Sequence, residues 1–201
     1  MSQVPWGGAV KPPVLLGDGL VLRGWEDTDM PVLVEVFQDE EIRRWLPAGI
    51  ADEWDAWIWL QAQREGWESG ERCGFAVQEA GDDGGEVLGH VVLKRPGETM
   101  NSGEVGYWTV PAARGRGVAG RALEALAAWA VPAFGLWRLE LLHQVGNAAS
   151  CRVAEKSGYV LERRLPPFPP DFPMEGHLHV RDEFSAPPGL HEQRDSDREE
   201  P

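Results

Sequence analysis

The sequence predicts an α/β (α+β) domain in which helices cover both faces of a mixed, mostly antiparallel sheet. Three observations support this fold class. Strand-like and helix-like segments alternate along the chain, the turn-rich segment 80–85 joins two neighbouring strands, and a helical segment separates the strands expected at 103–110 and 137–143. A short turn makes the strands that it joins antiparallel, whereas a crossover helix makes them parallel. The sheet should therefore contain both arrangements.

A strand and three helices are expected before this hairpin. The strand covers Leu20–Arg23, and the capping candidates Asp27–Asp29 precede a helix that should extend to residue 37. A short helix is expected at Glu40–Trp45, where Pro47 stops it. A longer helix should begin after Asp52 and end between residues 66 and 70.

The elements from the hairpin onward follow a regular alternation. Strands are expected at 73–79, 87–93 and 103–110, a helix at 118–130, a strand at 137–143, a helix at Ala148–Lys156, and strands starting at 158 and covering 177–184. Small and apolar residues surround the helix at 118–130, which predicts that it is well buried. Four tryptophans on the early helices are expected to pack in the core, and lining a substrate site is the alternative; they are Trp45, Trp54, Trp57 and Trp59.

Length and terminal composition predict one domain with loose ends. The 201 residues suit a single hydrophobic core. We expect a flexible leader at 1–13, the folded domain at 14–185, and a disordered acidic tail at 186–201. The start lacks the pattern of a signal peptide, and no stretch approaches the roughly 20 apolar residues of a membrane span. The expectation is a cytoplasmic protein without a membrane partner.

Charge and cysteine content exclude several function classes. The chain has 33 Asp and Glu residues against 19 Lys and Arg residues, a net charge of −14. This charge argues against nucleic acid as a partner and favours a cationic substrate such as an amine. Cys73 and Cys151 lie far apart without a C-x-x-C pattern, so we expect neither a disulfide framework nor a zinc or other metal site.

The segment 104–121 carries the most functional information, because it combines a strand, a Gly/Arg turn and a helix start. Gly115 and Gly117 leave room for a ligand close to the backbone. The first turn of a helix has unpaired N–H groups and the positive end of the helix dipole, which together suit a pyrophosphate. Arg114 and Arg116 add charge-assisted donors. A turn without any ligand explains the glycines equally well.

Two phosphate-binding interpretations of this turn compete. Gly115, Gly117 and Gly120 match the dinucleotide fingerprint G-x-G-x-x-G, and Glu140 lies where a ribose-binding acid is expected. However, that fingerprint needs the strand to run almost directly into the first glycine, whereas residues 111–114 intervene here. Too little chain follows to complete a doubly wound sheet. A Walker A site is excluded because no Gly-Lys-Ser/Thr follows.

The same turn fits the signature of another family. Residues 114–119 match the R/Q-x-x-G-x-G/A signature of the GNAT superfamily of N-acetyltransferases, which the chain resembles. The segment 104–108 resembles the preceding strand of the Rim-type branch, which acetylates protein N-termini and small amines. The segment 147–159 resembles the N-x-x-S/A…E-K-x-G-F/Y block of that branch. The resemblance covers roughly residues 20–184.

This resemblance implies how acetyl-CoA would bind. The central strands would splay apart near Val110 and Leu139, and the cofactor would occupy the gap. Backbone groups of Trp108, Thr109 and Val110 would pair with the pantetheine arm, and the amide of Asn147 would contact the pantetheine or the thioester. The pyrophosphate would bind to the backbone of a segment that we call the bend, formed by Arg114, Gly115, Arg116, Gly117, Val118 and Ala119.

The resemblance also implies direct acetyl transfer to a deprotonated amine. Glu104 is the candidate base, Ser150 is the candidate proton donor to the thiolate, and the N–H of Val110 is the implied donor to the oxyanion. An ordinary strand glutamate and a helix-start serine remain the alternatives for the first two residues. Many relatives carry a tyrosine acid where this chain has Ala154, so that mechanism is excluded at this position.

The remaining aromatic and imidazole groups receive structural interpretations. Tyr159 resembles a core aromatic residue and is no simple substitute for the missing tyrosine. His143 at a strand end is interpreted as structural. His177 and His179 alternate along a late strand, and they are either structural or reach the mouth of the substrate site.

The expected function is transfer of an acetyl group from acetyl-CoA to a primary amine, in a protein N-terminus or a small molecule. A GNAT fold that binds acetyl-CoA without turnover is the second hypothesis. A nicotinamide-dependent oxidoreductase is the third. Many relatives are homodimers, so the resemblance adds a homodimer as a further expectation.

Overall fold

The computed structural model describes residues 11–46, 49–81, 85–96, 101–169 and 173–182. The predicted acidic tail, the first ten residues of the predicted leader, and parts of the loops at 80–85 and 166–173 lie outside the described residues. The domain boundaries at 14 and 185 therefore stay predictions.

In the described part of the chain, eight strands form one sheet in the order β1-β2-β3-β4-β5-β6-β8-β7. Neighbouring strands are antiparallel, except that β5 and β6 are parallel. The predicted mixed, mostly antiparallel sheet is confirmed, and so is the parallel pair across the crossover helix. The strands are β1 (Leu15–Gly17), β2 (Leu20–Arg23), β3 (Arg72–Glu79), β4 (Val87–Lys94), β5 (Ser102–Thr109), β6 (Arg138–Gln144), β7 (Val160–Leu165) and β8 (Gly176–Asp182).

The described residues form five α-helices, and the bounds of the second and fifth agree with the sequence prediction. Three of them begin at a residue whose side chain accepts an N–H from the first turn, namely Asp39, Asp52 and Asn147. None of these helices combines the length and the apolar character that crossing a membrane requires. The helices are α1 (Met30–Val36), α2 (Glu40–Trp45), α3 (Glu53–Ser69), α4 (Val118–Phe134) and α5 (Ala148–Lys156).

The short strand β1 is absent from the sequence prediction. It pairs with β2, with Leu15 opposite Leu22 and Gly17 opposite Leu20. A Cβ atom on Gly17 would lie 2.9 Å from the Cβ of Ala125 on α4, so the glycine allows the close approach of helix and strand. This strand therefore depends on long-range pairing and packing, which a local pattern of three residues does not reveal.

Helices cover both faces of the sheet, as predicted. On one face, the ring of Trp25 lies 5.1 Å from that of Trp59 in α3 and 5.8 Å from that of Trp108 in β5. On the opposite face, Trp129 of α4 lies 5.4 Å from Phe75 of β3. Aromatic rings thus fill the core on both sides, and the face of β5 that carries Trp108 is fixed by this packing.

Core packing is the wrong prediction for two of the tryptophans on α3. Trp54 is 65% exposed and Trp57 is 42% exposed, and their rings stack on each other at 5.1 Å. The buried side of α3 instead carries Ala56, Leu60, Gln63 and Trp67. Helical periodicity of 3.6 residues places the first two tryptophans on the outer side of this helix.

The helix α4 extends four residues beyond its predicted end at Ala130. It continues through Pro132, which has no N–H to donate, and ends at Gly135, whose φ of 61° is left-handed. The expected burial is confirmed, because Leu123 and Leu126 are fully buried against the sheet.

The two parallel strands at the centre of the sheet separate along their length. They pair from Ser102 opposite Arg138 to Val105 opposite Leu141. Beyond that point β5 stays paired with β4 as far as Thr109, and β6 stays paired with β8 as far as Gln144. Each strand keeps its outer neighbour, so a gap opens between them, as the resemblance implied.

Burial of α4 against the sheet should dominate stability. We expect Leu126→Ala to lower the free energy of unfolding by about 2–5 kcal/mol, because a fully buried leucine is lost and a cavity is left. The matched variant Leu16→Ala changes a residue that is 76% exposed in β1 and should change stability by about 0.5 kcal/mol or less. Urea unfolding followed by circular dichroism checks both variants, and equal losses would contradict the assigned packing.

Candidate active site

A groove of about 2220 Å³ opens at the gap between β5 and β6. Its walls include β5, the bend and the start of α4 on one side, and β6, α5 and β8 on the other. Residues from α2 complete the lining, and Trp45 is one of them. Most of the residues predicted for the site therefore lie around one concave space, which is the usual form of a small-molecule site.

The lining of the groove is basic although the chain is acidic. Among the described residues, nine Lys and Arg side chains line it against four Asp and Glu side chains, whereas the chain as a whole has 19 against 33. Arg152 and Lys156 lie one turn apart on α5 and have no carboxylate partner in the described part of the chain. A positive groove in a negative protein favours an anionic ligand.

The bend faces the groove with an open backbone. Gly115 and Gly117 have φ angles of 76° and 75°, which favour glycine, and a Cβ atom on either would meet nothing within 4 Å. Gly117 is the N-cap of α4, has no capping side chain, and its carbonyl accepts the N–H of Arg121. The N–H groups of the first turn of α4 are thus directed toward the groove, and the helix dipole makes this end positive.

The guanidinium groups of the bend pair with carboxylates. Arg114 contacts Asp39 at 2.5 Å and Glu41 at 3.0 Å, and this pairing lowers the pKa of Asp39. Arg116 contacts Glu79 at 2.8 Å and does not belong to the described residues that line the groove. Carboxylates thus engage both guanidinium groups in this structure, and their role in binding an anion stays a prediction.

The backbone of β5 is only partly available to a ligand. The N–H of Val110 donates to the carbonyl of Leu88 at 2.9 Å, so the prediction that it donates to an oxyanion is wrong for this conformation. Successive residues of a strand direct their N–H groups to opposite sides. The N–H groups of Thr109 and Tyr107 therefore point toward the gap, whereas that of Trp108 points toward β4.

Glu104 lies in the groove within an ion-pair network. Its carboxylate contacts Lys94 at 2.6 Å and Arg95 at 2.7 Å, and its side chain is 16% exposed. Burial raises the pKa of Glu104, but the charges and hydrogen bonds of the two cations outweigh burial and lower this pKa below its ordinary value. Glu104 is therefore ionised at neutral pH and is a weak base.

Ser150 has a partner that the sequence analysis missed. The hydroxyls of Ser150 and Tyr107 lie 2.9 Å apart, and both residues line the groove. The N–H of Ser150 donates to the side chain of Asn147 at 3.0 Å, so Asn147 is the N-cap of α5. Burial raises the pKa of Tyr107, which therefore keeps its proton at neutral pH. The one signal in the sequence is that Tyr107 lies near the end of a strand just before the bend.

Glu104 and Tyr107 lie on opposite faces of β5. Glu104 is opposite Lys94 and shares its face with Trp108, which packs toward α3, whereas Tyr107 reaches Ser150 on α5. Both side chains nevertheless line one groove, because β5 and β6 separate just beyond Val105, between the levels of the two residues. The gap thus connects two chemically different sides of the sheet.

Two further predictions concern residues near α5. Ala154 and Tyr159 are fully buried, so Tyr159 is the core residue that was predicted. His143, His177 and His179 lie around Cys151, and we call these four residues the Cys/His cluster. The first two histidines also line the groove, whereas His179 is fully buried.

Comparison with known families identifies the chain. Residues 19–160 match the acetyltransferase (GNAT) domain family. The chain therefore belongs to the GNAT family of acetyltransferases, and the resemblance seen in the bend and in the block at 147–159 is confirmed. Family membership and the antiparallel strands before the bend both argue against the dinucleotide interpretation. No curated protein matches the chain significantly.

Several solved structures share the fold. One is described as a ribosomal-protein-serine acetyltransferase from Vibrio cholerae, with a TM-score of 0.74 and 23% identity over 86% of this chain and 99% of the other. Mycobacterium smegmatis RimJ in complex with CoA-disulfide has a TM-score of 0.72 and 18% identity over 85% and 86%. A Salmonella typhimurium acetyltransferase that modifies the N-terminal serine of a 50S ribosomal subunit protein has a TM-score of 0.73 and 16% identity over 85% and 99%. At these identities the likeness establishes the fold.

The ion pairs of Glu104 should make stability depend on pH. Because the folded-state pKa of Glu104 lies below its ordinary 4.5, their contribution is complete above the unfolded-state pKa and is lost as the pH falls through the folded-state pKa. We expect Glu104→Gln to lower the free energy of unfolding at pH 7 by about 1–3 kcal/mol, with a smaller difference in acid.

Urea unfolding at a series of pH values checks this expectation. The control is Glu79→Gln, because the Glu79 side chain is 52% exposed in its ion pair with Arg116, and it should change stability by about 1 kcal/mol or less. A loss for Glu104→Gln that stays constant down to pH 3 would contradict the lowered pKa.

Proposed function

We propose that the protein transfers an acetyl group from acetyl-CoA directly to a primary amine. The observation that carries this proposal is the open backbone of the bend at the edge of a basic groove. Coenzyme A is an anionic ligand with a pyrophosphate, and the start of α4 offers N–H groups and a positive dipole to such a group. Family membership supports acetyl transfer as the reaction.

The cofactor would extend from the bend along the gap. The amides from Gly115 to Ala119 would bind the pyrophosphate, and the exposed N–H of Thr109 would pair with the pantetheine arm. Arg152 and Lys156 supply further positive charge along the groove. The RimJ structure contains CoA-disulfide in the same fold, which supports coenzyme A as the ligand here.

The acceptor amine would approach from the face of β5 that carries Glu104. An ammonium group must lose a proton before its nitrogen can attack the carbonyl carbon of the thioester. The ionised Glu104 attracts this cation and would take the proton through a water molecule. Because Lys94 and Arg95 weaken it as a base, its contribution is to orient and to attract as much as to remove the proton.

The thiol leaving group would lie on the face of β5 that carries Tyr107. When the tetrahedral intermediate collapses, the C–S bond breaks and the sulfur takes the electron pair as a thiolate. Ser150 would then donate its hydroxyl proton to the sulfur and receive the proton of Tyr107 through their hydrogen bond. The proton that the new amide nitrogen must lose would pass through water and restore the Tyr107 hydroxyl. This pair would supply the proton that Ala154 cannot supply. Asn147 fixes the position of Ser150 at the start of α5 through its hydrogen bond to the Ser150 N–H.

The acceptor is a protein N-terminus or a small-molecule amine, and the N-terminus is the first candidate. The Salmonella acetyltransferase with this fold modifies an N-terminal serine. Phe168 and Met174 also line the groove, and both are exposed apolar side chains. An extended peptide could lie along such a surface with its amino group at the gap.

The direct test mixes the protein with acetyl-CoA and an amine panel. Release of CoA is followed by chromatography, because a thiol reagent would also modify Cys151. The panel contains a peptide with a free N-terminal serine, the same peptide with a blocked N-terminus, a lysine derivative and a polyamine. CoA release that needs the free N-terminus supports the proposal.

The other outcomes of this test discriminate between the alternatives. Binding of acetyl-CoA without CoA release for any amine would identify a binding module. Calorimetric titration in which NAD(H) binds in preference to CoA would overturn the proposal in favour of an oxidoreductase.

Gly117→Ala should weaken CoA binding. An alanine at φ 75° costs about 1–2 kcal/mol in stability, and its methyl group projects into the space where the pyrophosphate would lie. Gly135→Ala is the matched control, because Gly135 has a φ of 61° and open space around its Cβ position at the far end of α4.

Both variants should lose similar stability, but Gly117→Ala alone should bind CoA about tenfold or more weakly. Isothermal titration calorimetry measures the affinity. Equal CoA affinities in the two variants would show that the pyrophosphate does not bind at the bend.

Ser150→Ala and Tyr107→Phe should each lower kcat, by about 100-fold for Ser150→Ala, with little change in KM for acetyl-CoA. Because the two hydroxyls act in one relay, the double variant should be no slower than the slower single variant. Steady-state kinetics at saturating amine measures this. Multiplicative effects in the double variant would show that the two hydroxyls act independently.

A further inference from the structure

The Cys/His cluster brings together four possible metal ligands from three elements. His143 in β6 is directly opposite His177 in β8, and His179 lies two residues further along β8 on the same face. Cys151 projects from α5 onto this face, where its sulfur contacts two of the rings. One ligand atom from each of the four residues lies within 4.8 Å of every other.

The distances within the cluster fit a tetrahedral metal. The sulfur of Cys151 lies 3.4 Å from Nδ1 of His177 and 3.6 Å from Nε2 of His179. A tetrahedral Zn²⁺ with ordinary bond lengths would place sulfur and nitrogen ligands about 3.6 Å apart and two nitrogen ligands about 3.4 Å apart. Small movements of the side chains would complete the tetrahedron.

The hydrogen bonding of His143 leaves one nitrogen for a metal. Its Nδ1 lies 2.8 Å from the carbonyl of Gln144 and donates to it. Its Nε2 is buried and has no hydrogen-bond partner in the described part of the chain. Metal-binding histidines commonly donate one N–H to a carbonyl and coordinate through the other nitrogen. Metal binding through Nε2 of His143 would thus satisfy a polar atom that is otherwise buried at a cost.

We propose that the Cys/His cluster is a structural site for a divalent transition metal, with Zn²⁺ as its ion. One thiolate and three imidazoles form a ligand set suited to zinc. Four protein ligands leave no open position, so the ion would hold the structure rather than activate a substrate. This inference goes beyond acetyl transfer and departs from the sequence prediction that the chain has no metal site.

The proposed ion would fix one wall of the groove. It would tie the first turn of α5 to β6 and β8, which are the strands on the far side of the gap. Cys151 directly follows Ser150, so the same ion would restrain the residue proposed to donate a proton to the thiolate. The sequence pattern does not show this site because its ligands lie in three separate segments.

Cobalt is a suitable probe, because tetrahedral Co²⁺ absorbs visible light and a cobalt–thiolate bond adds a charge-transfer band. The purified full chain is treated with a chelator under reducing conditions and titrated with Co²⁺ alone. We expect one equivalent to bind with both absorptions, Zn²⁺ to displace it, and the melting temperature to rise with the metal. The absence of a thiolate band at one equivalent in the wild-type protein would overturn the proposal, whatever the result for acetyl transfer.

The two cysteines provide a matched pair of variants. Cys151→Ser should abolish the thiolate band and weaken metal binding by at least about 100-fold, since the loss of even an outer hydrogen-bond partner weakens it 10–100-fold. Cys73→Ala should keep the band, because burial raises the pKa of Cys73 to about 12 and this residue lies outside the cluster. A band that persists in folded Cys151→Ser, checked by circular dichroism, would also overturn the proposal.

Discussion

The separation of β5 from β6 is the constraint on which the site depends. Along the gap both strands stay paired with their outer neighbours, so the gap costs only the hydrogen bonds between these two strands beyond Val105 and Leu141. The backbone groups that this leaves unpaired face a cavity, where a ligand or water can satisfy them. The sheet thus contributes a row of donors and acceptors to the groove without losing its continuity elsewhere.

The charge of the groove differs in sign from the net charge of the chain. The chain is acidic overall, yet the groove is basic, and Asp39 lies outside the groove lining but pairs with one of its cations. Asp39 illustrates the arrangement, since it caps α2 and at the same time holds Arg114 of the bend. Such pairs shape the bend by fixing its side chains. They leave its amides as the donors for an anion, and amides on a rigid helix start are well suited to that task.

Local patterns predicted most of the fold, and long-range contacts account for what was missed. The bounds of α2 and α5 were predicted because capping residues and periodicity are local. The strand β1 and the hydrogen bond of the Val110 amide both depend on how distant segments meet. The Tyr107–Ser150 pair and the Cys/His cluster belong to the same class, because each joins residues from separate elements. A sequence motif identifies the family and the bend. The pairing of the strands decides which backbone N–H groups of that segment remain available to a ligand.

The opposite placement of Glu104 and Tyr107 gives the proposed chemistry a direction. An amine that approaches Glu104 and a thiol that leaves past Tyr107 use different faces of β5, so they do not compete for space. The reaction then requires that both walls of the gap keep a fixed distance. The Arg114–Asp39 pair restrains the wall formed by the bend, and the proposed metal would restrain the wall formed by α5. A site built in a break of a sheet needs such ties on both sides, because the hydrogen bonds that would otherwise join the walls are the ones that the proposed cofactor would replace.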